Sequence, residues 1–77
     1  MTPGEKLQRS TRYAAALKEL ATEGDADAER LVRDNTPIGN IRRNLFIRGA
    51  ANGAESVDRP ELTARVRTRV VVNALEE

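Results

Sequence analysis

Four short stretches of this sequence have the composition of a helix start, and they divide the chain into four segments. Two of them pair threonine with proline, at Thr2–Pro3 and Thr36–Pro37, and two place an aspartate, Asp25 or Asp58, before a helix-forming run. Thr and Asp side chains accept hydrogen bonds from the first N–H groups of a helix, and proline fits its first position. The pattern predicts an all-α fold, a small single-domain bundle of about four helices over residues 1–77.

Glycines indicate where these segments end. Gly24 and Gly49 follow the first and third segments, and Asn52-Gly53 is a turn signal. We therefore predict helices over about 3–23, 25–34, 37–48 and 59–75, with a loop over 49–57. Alternating Val and Arg residues over 65–72 also fit a half-buried strand, but one strand without a hairpin partner leaves its backbone unsatisfied, so we prefer the helix.

Apolar residues spaced by three and four predict the buried side of each helix. On this rule the inner face of the first helix consists of Leu7, Ala14, Leu17 and Ala21, widened by Tyr13 and Leu20, and that of the second consists of Ala28, Leu31 and Val32. The inner face of the third helix consists of Ile38, Ile41 and Leu45. That of the fourth consists of Leu62, Val66 and Val70, joined by Val71, Ala74 and Leu75. Phe46, Ile47 and Val72 lie off these stripes and could form an exposed patch. For Phe46 we favour a place in the core instead.

The chain has no Cys and no His, which limits both its stability and its chemistry. It can form no disulfide, and it lacks the favoured ligands of zinc, so we predict no metal and no cofactor. It has no histidine base, cysteine nucleophile or glycine-rich phosphate loop, and we predict that it is not an enzyme. Asp25, Asp27 and Glu29 are interpreted as partners of a helix dipole.

Seven Leu, three Ile, six Val and one Phe are a thin supply of core residues for 77 positions. A chain of this size buries only about 60% of the surface that it exposes when unfolded. A compact helical fold or a homodimer would bury the most apolar surface. The seven-residue apolar repeats of the two end segments suit antiparallel packing in such a dimer. We find no signal-peptide pattern and no apolar run of membrane-spanning length, so we expect a cytoplasmic protein with no membrane partner.

The two halves of the chain differ in charge. Residues 1–35 carry six basic and seven acidic side chains, a net charge of −1, whereas residues 36–75 carry seven arginines and three acidic residues, a net charge of +4. Arginine pairs bidentately with phosphate or guanine, and asparagine pairs in the same way with adenine. The candidate nucleic-acid-binding residues are therefore Asn40, Arg42, Arg43 and Asn44, which would face bases or phosphates, and Arg48, Arg65 and Arg69, which would contact the backbone.

The middle of the chain resembles a helix-turn-helix. It has a short helix over 25–34, a tight turn at Asn35–Thr36 and a second helix with a polar outer side. Its inner positions would be Ala28, Leu31, Ile38 and Ile41. The sequence departs from the motif in three places: the turn has no glycine, Arg33 stands where an apolar residue is preferred, and Gly39 lies near the start of the second helix.

Two functions fit these observations. The first is a small DNA-binding regulator that places the helix over 36–48 in the major groove. The second is a protein-interaction module, such as an adaptor, inhibitor or accessory subunit, with no nucleic-acid role. We rank DNA binding first because it gives the arginines a role, whereas a protein-interaction module is compatible with them but does not require them. An ordinary solvated surface would also explain the arginines. DNA binding predicts an affinity that falls steeply with salt.

Overall fold

The computed structural model describes residues 3–53 and 59–76, which form four helices. These are α1 (Pro3–Thr22), α2 (Ala26–Arg33), α3 (Pro37–Ala51) and α4 (Pro60–Glu76). No strand occurs within the described residues, so the all-α prediction is confirmed and 65–72 is helical. The predicted caps Thr2 and Asp58 and the side chain of Leu7 lie outside what the structure describes.

The corner between α1 and α2 is built as the sequence predicts. Gly24 adopts a left-handed φ of 97°, and its N–H donates to the Ala21 carbonyl at 3.3 Å. The Asp25 N–H donates to the Leu20 carbonyl at 3.0 Å, which completes a Schellman motif. The Asp25 carboxylate then accepts the Ala28 N–H at 3.2 Å and caps α2. Two residues, Glu23 and Gly24, therefore separate the end of α1 from the cap of α2.

The third helix begins where predicted but ends later. The Thr36 hydroxyl accepts the Gly39 N–H at 3.0 Å, and Pro37 occupies the first position. The predicted end at residue 48 is wrong, because α3 continues to Ala51 and stops with Asn52 and a left-handed Gly53. Ala50 and Ala51 are both buried, and their packing outweighs the cost of about 1 kcal/mol that Gly49 imposes on a helix.

The core lies around α1, which packs against each of the other three helices. Its buried side chains come from all four helices: Ala16, Leu17, Ala28, Leu31, Phe46, Leu62 and Val66. Partly buried side chains pack against this cluster: Tyr13, Leu20, Ala21, Val32, Ile47 and Val70. The predicted inner faces of α1 and α2 are confirmed within the described side chains, and so is the core position of Phe46. Ile47 belongs to the core edge rather than to an exposed patch.

The predicted inner face of α3 is wrong. Ile38, Ile41 and Leu45 are 61%, 60% and 61% exposed, and the helix buries the opposite side instead. That side combines Phe46 with Gly39 and Ala50, which are small enough to bring the α3 backbone close to its neighbours. A helix with apolar residues on two sides can bury either, and burial of the only phenylalanine removes the largest single apolar surface from water.

The predicted inner face of α4 is only partly correct. Leu62 and Val66 are fully buried, and Val70 packs against the core. Val71 and Leu75, in contrast, are 58% and 81% exposed, and Ala74 is exposed as well. At 3.6 residues per turn, Val71 and Leu75 cannot share the side that Leu62 and Val66 define.

Gly39 is needed because of its neighbour Asp34. A methyl group at position 39 would overlap the Asp34 carboxylate. That carboxylate is held in place, since Asp34 Oδ1 accepts the Thr36 hydroxyl at 2.6 Å and the Thr36 N–H at 3.1 Å. The Thr36 hydroxyl in turn accepts the Gly39 N–H. The α2–α3 turn is therefore a hydrogen-bonded unit that leaves no room for a side chain at position 39.

We predict that the two glycines of α3 respond in opposite ways to alanine. Gly49→Ala meets no atom within 4 Å and should raise the free energy of unfolding by about 1 kcal/mol. Gly39→Ala should lower it by about 1 kcal/mol or more, because Asp34 must leave Thr36. Urea unfolding followed by circular dichroism measures both. A stabilising Gly39→Ala would show that the Asp34 carboxylate moves aside without loss.

Candidate interaction surface

Arg65 joins α4 to the corner between α1 and α2. Its Nε donates to Asp25 Oδ2 at 2.6 Å, and its Nη2 donates to Asp25 Oδ1 at 3.2 Å and to Asp27 Oδ2 at 3.3 Å. The Asp25 carboxylate is largely buried and also caps α2. One carboxylate therefore fixes both the start of α2 and the position of α4.

Arg69 makes a second connection one turn further along α4. Its guanidinium donates to both carboxylate oxygens of Glu23, at 2.6 Å for the Nη2 contact, and to Glu19 Oε1 at 3.2 Å. The Asn73 amide also donates to Glu19, at 3.2 and 3.3 Å to its two oxygens. Carboxylates at and just beyond the end of α1 thus pair with the basic middle of α4, which brings opposite charges from the two halves of the chain together.

These contacts change the protonation of the carboxylates. The hydrogen bond from Arg65 lowers the pKa of Asp25, and the hydrogen bond from Arg69 lowers the pKa of Glu23. The pKa of Asp34 is also lowered, mainly by the hydrogen bonds from Thr36, with a smaller effect from the nearby arginines of α3. The carboxylates that organise the two interhelical corners are therefore held in their charged form.

The structure separates the seven predicted nucleic-acid-binding residues into two groups. Arg65 and Arg69 lie in the ion pairs with α1 and α2, and each would have to leave a carboxylate to contact a phosphate. The other five lie on α3: Asn40, Arg42, Asn44 and Arg48 are exposed, and Arg43 is half-buried. Arg43 donates to the Asn40 side chain at 2.6 Å and to the Val32 carbonyl at 3.4 Å, which ties α3 to the end of α2.

Ile38, Ile41 and Leu45 form a continuous apolar stripe on the outward side of α3, which we call the α3 stripe. They follow one another at spacings of three and four, so they stack along one side of the helix. Arg42 and Arg48 are exposed on either side of the stripe. No carboxylate occurs in α3 itself, Pro37–Ala51. This surface is therefore apolar along its middle and positive along its edges.

The sequence prediction missed the α3 stripe because it assigned those residues to the core. The signal was present, since α3 contains two apolar sides rather than one. The second runs through Phe46 and Ile47 and includes the small residues Gly39 and Ala50. The helix-turn-helix interpretation needs Ile38 and Ile41 at inner positions and a polar outer side. Ala28 and Leu31 are buried as it requires, but Ile38 and Ile41 are not.

No group of three or more acidic side chains among the described residues could hold a metal ion. Among the side chains that the structure describes, every buried nitrogen or oxygen has a hydrogen-bond partner. The α1–α4 groove of about 690 Å³ contains Arg65, Arg69 and Asn73, whose polar atoms pair with the carboxylates described above. In the part of the chain that the structure describes, no helix combines the length and apolarity needed to cross a bilayer.

Comparisons with protein-family models, with curated proteins and with solved structures find no match to this chain.

We predict that acid destabilises the fold through Asp25 and Glu23. Their pKa values are lower in the folded state than the ordinary carboxyl value of about 4, so the unfolded chain binds more protons in acid. The stability that they contribute is complete above that ordinary value and is lost as the pH falls towards the lowered values. Thermal unfolding at a series of pH values measures this loss.

Arg65→Gln should lower the free energy of unfolding at neutral pH by about 1 kcal/mol and make its acid dependence shallower. The reason is that the pKa of Asp25 returns towards its ordinary value when the guanidinium is removed. Arg48→Gln removes an exposed arginine of α3 and serves as the matched control, with an unchanged acid dependence. Equal acid dependence in the wild type and Arg65→Gln would contradict the assignment to Asp25.

Proposed function

We propose that this chain is a small, non-enzymatic protein-interaction module that docks a partner on the α3 stripe. The observation that carries the proposal is the exposure of Ile38, Ile41 and Leu45, each more than half accessible on one side of one helix. Single exposed apolar residues are common on protein surfaces. Three large aliphatic side chains in a row are a different feature, because contiguous apolar surface marks interaction sites.

The α3 stripe supplies part of the free energy of a weak, reversible complex. Complete burial of an aliphatic side chain contributes about 1.5–3 kcal/mol, and more than half of each side chain remains to be buried. Each therefore contributes about 1–2 kcal/mol on docking. Together the three contribute about 3–6 kcal/mol, less than the ~8 kcal/mol of a micromolar complex, and association itself is costly, so the stripe alone supports a weak and transient complex.

The charges beside the α3 stripe indicate the chemistry of the partner. Arg42 and Arg48 are exposed at its edges, and α3 itself contains no carboxylate, although Asp34 in the preceding turn lies close enough to Arg42 to interact with it. A second α3 is a poor occupant, because it would bring arginines together. An amphipathic helix with an apolar stripe and acidic edges is complementary in both respects. We therefore propose an acidic amphipathic helix of another protein as the docked element.

DNA binding remains the competing hypothesis for the same surface. The exposed side chains of Asn40, Arg42, Asn44 and Arg48 support it, because these residue types contact bases and phosphates. The apolar middle of the surface favours a protein partner, since phosphates and base edges offer it few apolar contacts. The two hypotheses also differ in their expected response to salt, which is far steeper for DNA.

The proposal is tested by fluorescence anisotropy with three labelled probes. The first is a synthetic helix of about five turns with leucines along one side and glutamates at the edges. The second has lysines in place of the glutamates, and the third is a generic DNA duplex. We expect weak binding of the acidic peptide, with a Kd between micromolar and millimolar, still weaker binding of the basic peptide, and little affinity for the duplex at physiological salt.

Variants locate the binding to the stripe. Leu45→Ser should weaken binding of the acidic peptide about tenfold, because it removes about 1.4 kcal/mol of apolar contact. Val71→Ser changes an aliphatic residue of similar exposure on α4 and serves as the matched control, with unchanged binding. Equal losses in both variants would contradict docking on α3. Steeply salt-dependent duplex binding that Leu45→Ser does not alter would support the DNA hypothesis instead.

A further inference from the structure

From residue 64 to residue 75 the outward side of α4 is uncharged, although almost a third of the chain is charged and the exposed Glu61 lies on the same side at the start of the helix. Ala64, Thr68, Val71 and Leu75 are all exposed and follow one another at spacings of four, three and four. They form a row of about three turns along one side of the helix, which we call the α4 row. Val72 borders it and is 40% exposed.

The α4 row is uncharged because the arginines of the same segment point elsewhere. The stretch 64–75 contains three charged residues, Arg65, Arg67 and Arg69. Arg65 and Arg69 pair with carboxylates of α1 and α2, and Arg67 Nε donates to the Ala50 carbonyl at 3.2 Å. Each arginine of 64–75 therefore has a partner within the molecule. None of them points along the row, where it would repel the same arginine of a second copy.

The polar atom of the row is also satisfied. The Thr68 hydroxyl donates to the Ala64 carbonyl of its own helix at 3.0 Å. Burial of Thr68 against an apolar neighbour would therefore leave no new unsatisfied donor. All four side chains of the α4 row are thus suited to a dry helix–helix contact.

We propose that the α4 row pairs with the α4 row of a second copy of this chain, in the antiparallel direction. The spacing of the row is the three-and-four alternation of a helix–helix seam. Its side chains also increase in size from Ala64 at one end to Leu75 at the other. Antiparallel pairing exploits that gradient, because the largest side chain of each copy meets the smallest of the other.

The register follows from the positions of the residues. The point midway between positions 64 and 75 is also midway between 68 and 71, so a two-fold axis through it places Ala64 opposite Leu75 and Thr68 opposite Val71. A parallel arrangement would instead place Ala64 opposite Ala64 and Leu75 opposite Leu75. It would leave a gap at one end and crowd the other.

Pairing through α4 is independent of the function proposed for α3. It uses a different helix face and a different occupant, and a dimer would carry two α3 stripes and so bind a divalent partner more tightly. One helix pair of about three turns is smaller than a standard protein interface. The proposed dimer therefore dissociates on dilution rather than being permanent.

Sedimentation velocity over a concentration series tests the pairing. The wild type should change from monomer to dimer as its concentration increases, and Val71→Glu should remain monomeric because it brings two carboxylates into the seam. Ile41→Glu changes an equally exposed residue on α3 and should dimerise like the wild type. Circular dichroism confirms that both variants are folded. A wild type that stays monomeric throughout, or a dimer lost in Ile41→Glu but kept in Val71→Glu, would overturn the proposal.

Cysteine cross-linking tests the direction and register, and the chain contains no natural cysteine to interfere. Ala64→Cys and Leu75→Cys variants are prepared separately, mixed and oxidised under mild conditions. Antiparallel pairing predicts a disulfide between the two different variants and little between identical ones, since two copies of position 64 lie about three turns apart. Disulfides mainly between identical variants would indicate parallel pairing, and an absence of cross-links would show that the rows do not meet; either result refutes the proposal.

Discussion

The contact between Arg65 and Asp25 determines how the last helix joins the rest of the fold. These residues lie 40 positions apart in the sequence, and their side chains meet through two hydrogen bonds. Asp25 also caps α2, so α4 is attached at the point where the chain turns from α1 into α2. Loss of this carboxylate would remove a helix cap and an interhelical ion pair together. The pair of Arg69 with Glu23 strengthens the same junction one turn away.

The direction of the arginines decides what α4 presents to solvent. Since Arg65 and Arg69 reach towards α1 and α2, the aliphatic residues between and after them cannot all face the core. Val71 and Leu75 are left outside, in a row that carries no charge. The ion pairs that stabilise the monomer therefore also create the surface that we assign to a second copy.

The outward side of α3 has a related origin. The core of a chain of this size is small, and α3 supplies it with Phe46 and the alanines near its end. Ile38, Ile41 and Leu45 are left over on the opposite side. This surface differs from that of α4 in its charge, because arginines border it. We therefore propose different partners for the two helices, an acidic helix for α3 and a second copy of the chain for α4.

Much of the architecture could be predicted from short-range patterns. The cap at Asp25, the stop at Gly24 and the cap at Thr36 depend on residues within four or five positions of one another, and all three are confirmed. The end of α3 was misplaced because Gly49 resembles a stop, and only the burial of Ala50 and Ala51 carries the helix past it. The sequence shows Gly39 as a departure from the helix-turn-helix pattern, but it does not reveal the contact of this position with Asp34.

The candidate surfaces were much harder to predict. A spacing of three and four shows that Ile38, Ile41 and Leu45 share a side, but it does not show whether that side faces inward or outward. The charge difference between the halves is visible in the sequence, where it predicts a nucleic-acid partner. In the structure, two of the seven arginines of the second half, Arg65 and Arg69, pair with carboxylates of the first half.

The sequence by itself determined the number of helices, most of their boundaries and the absence of disulfides, because caps, glycines and composition act locally. The tertiary structure alone decided which apolar side of α3 is buried and where the arginines of α4 point. Both outcomes depend on contacts between residues far apart in the chain, such as Arg65 with Asp25. Such contacts form only when the helices have packed, so helical periodicity cannot specify them.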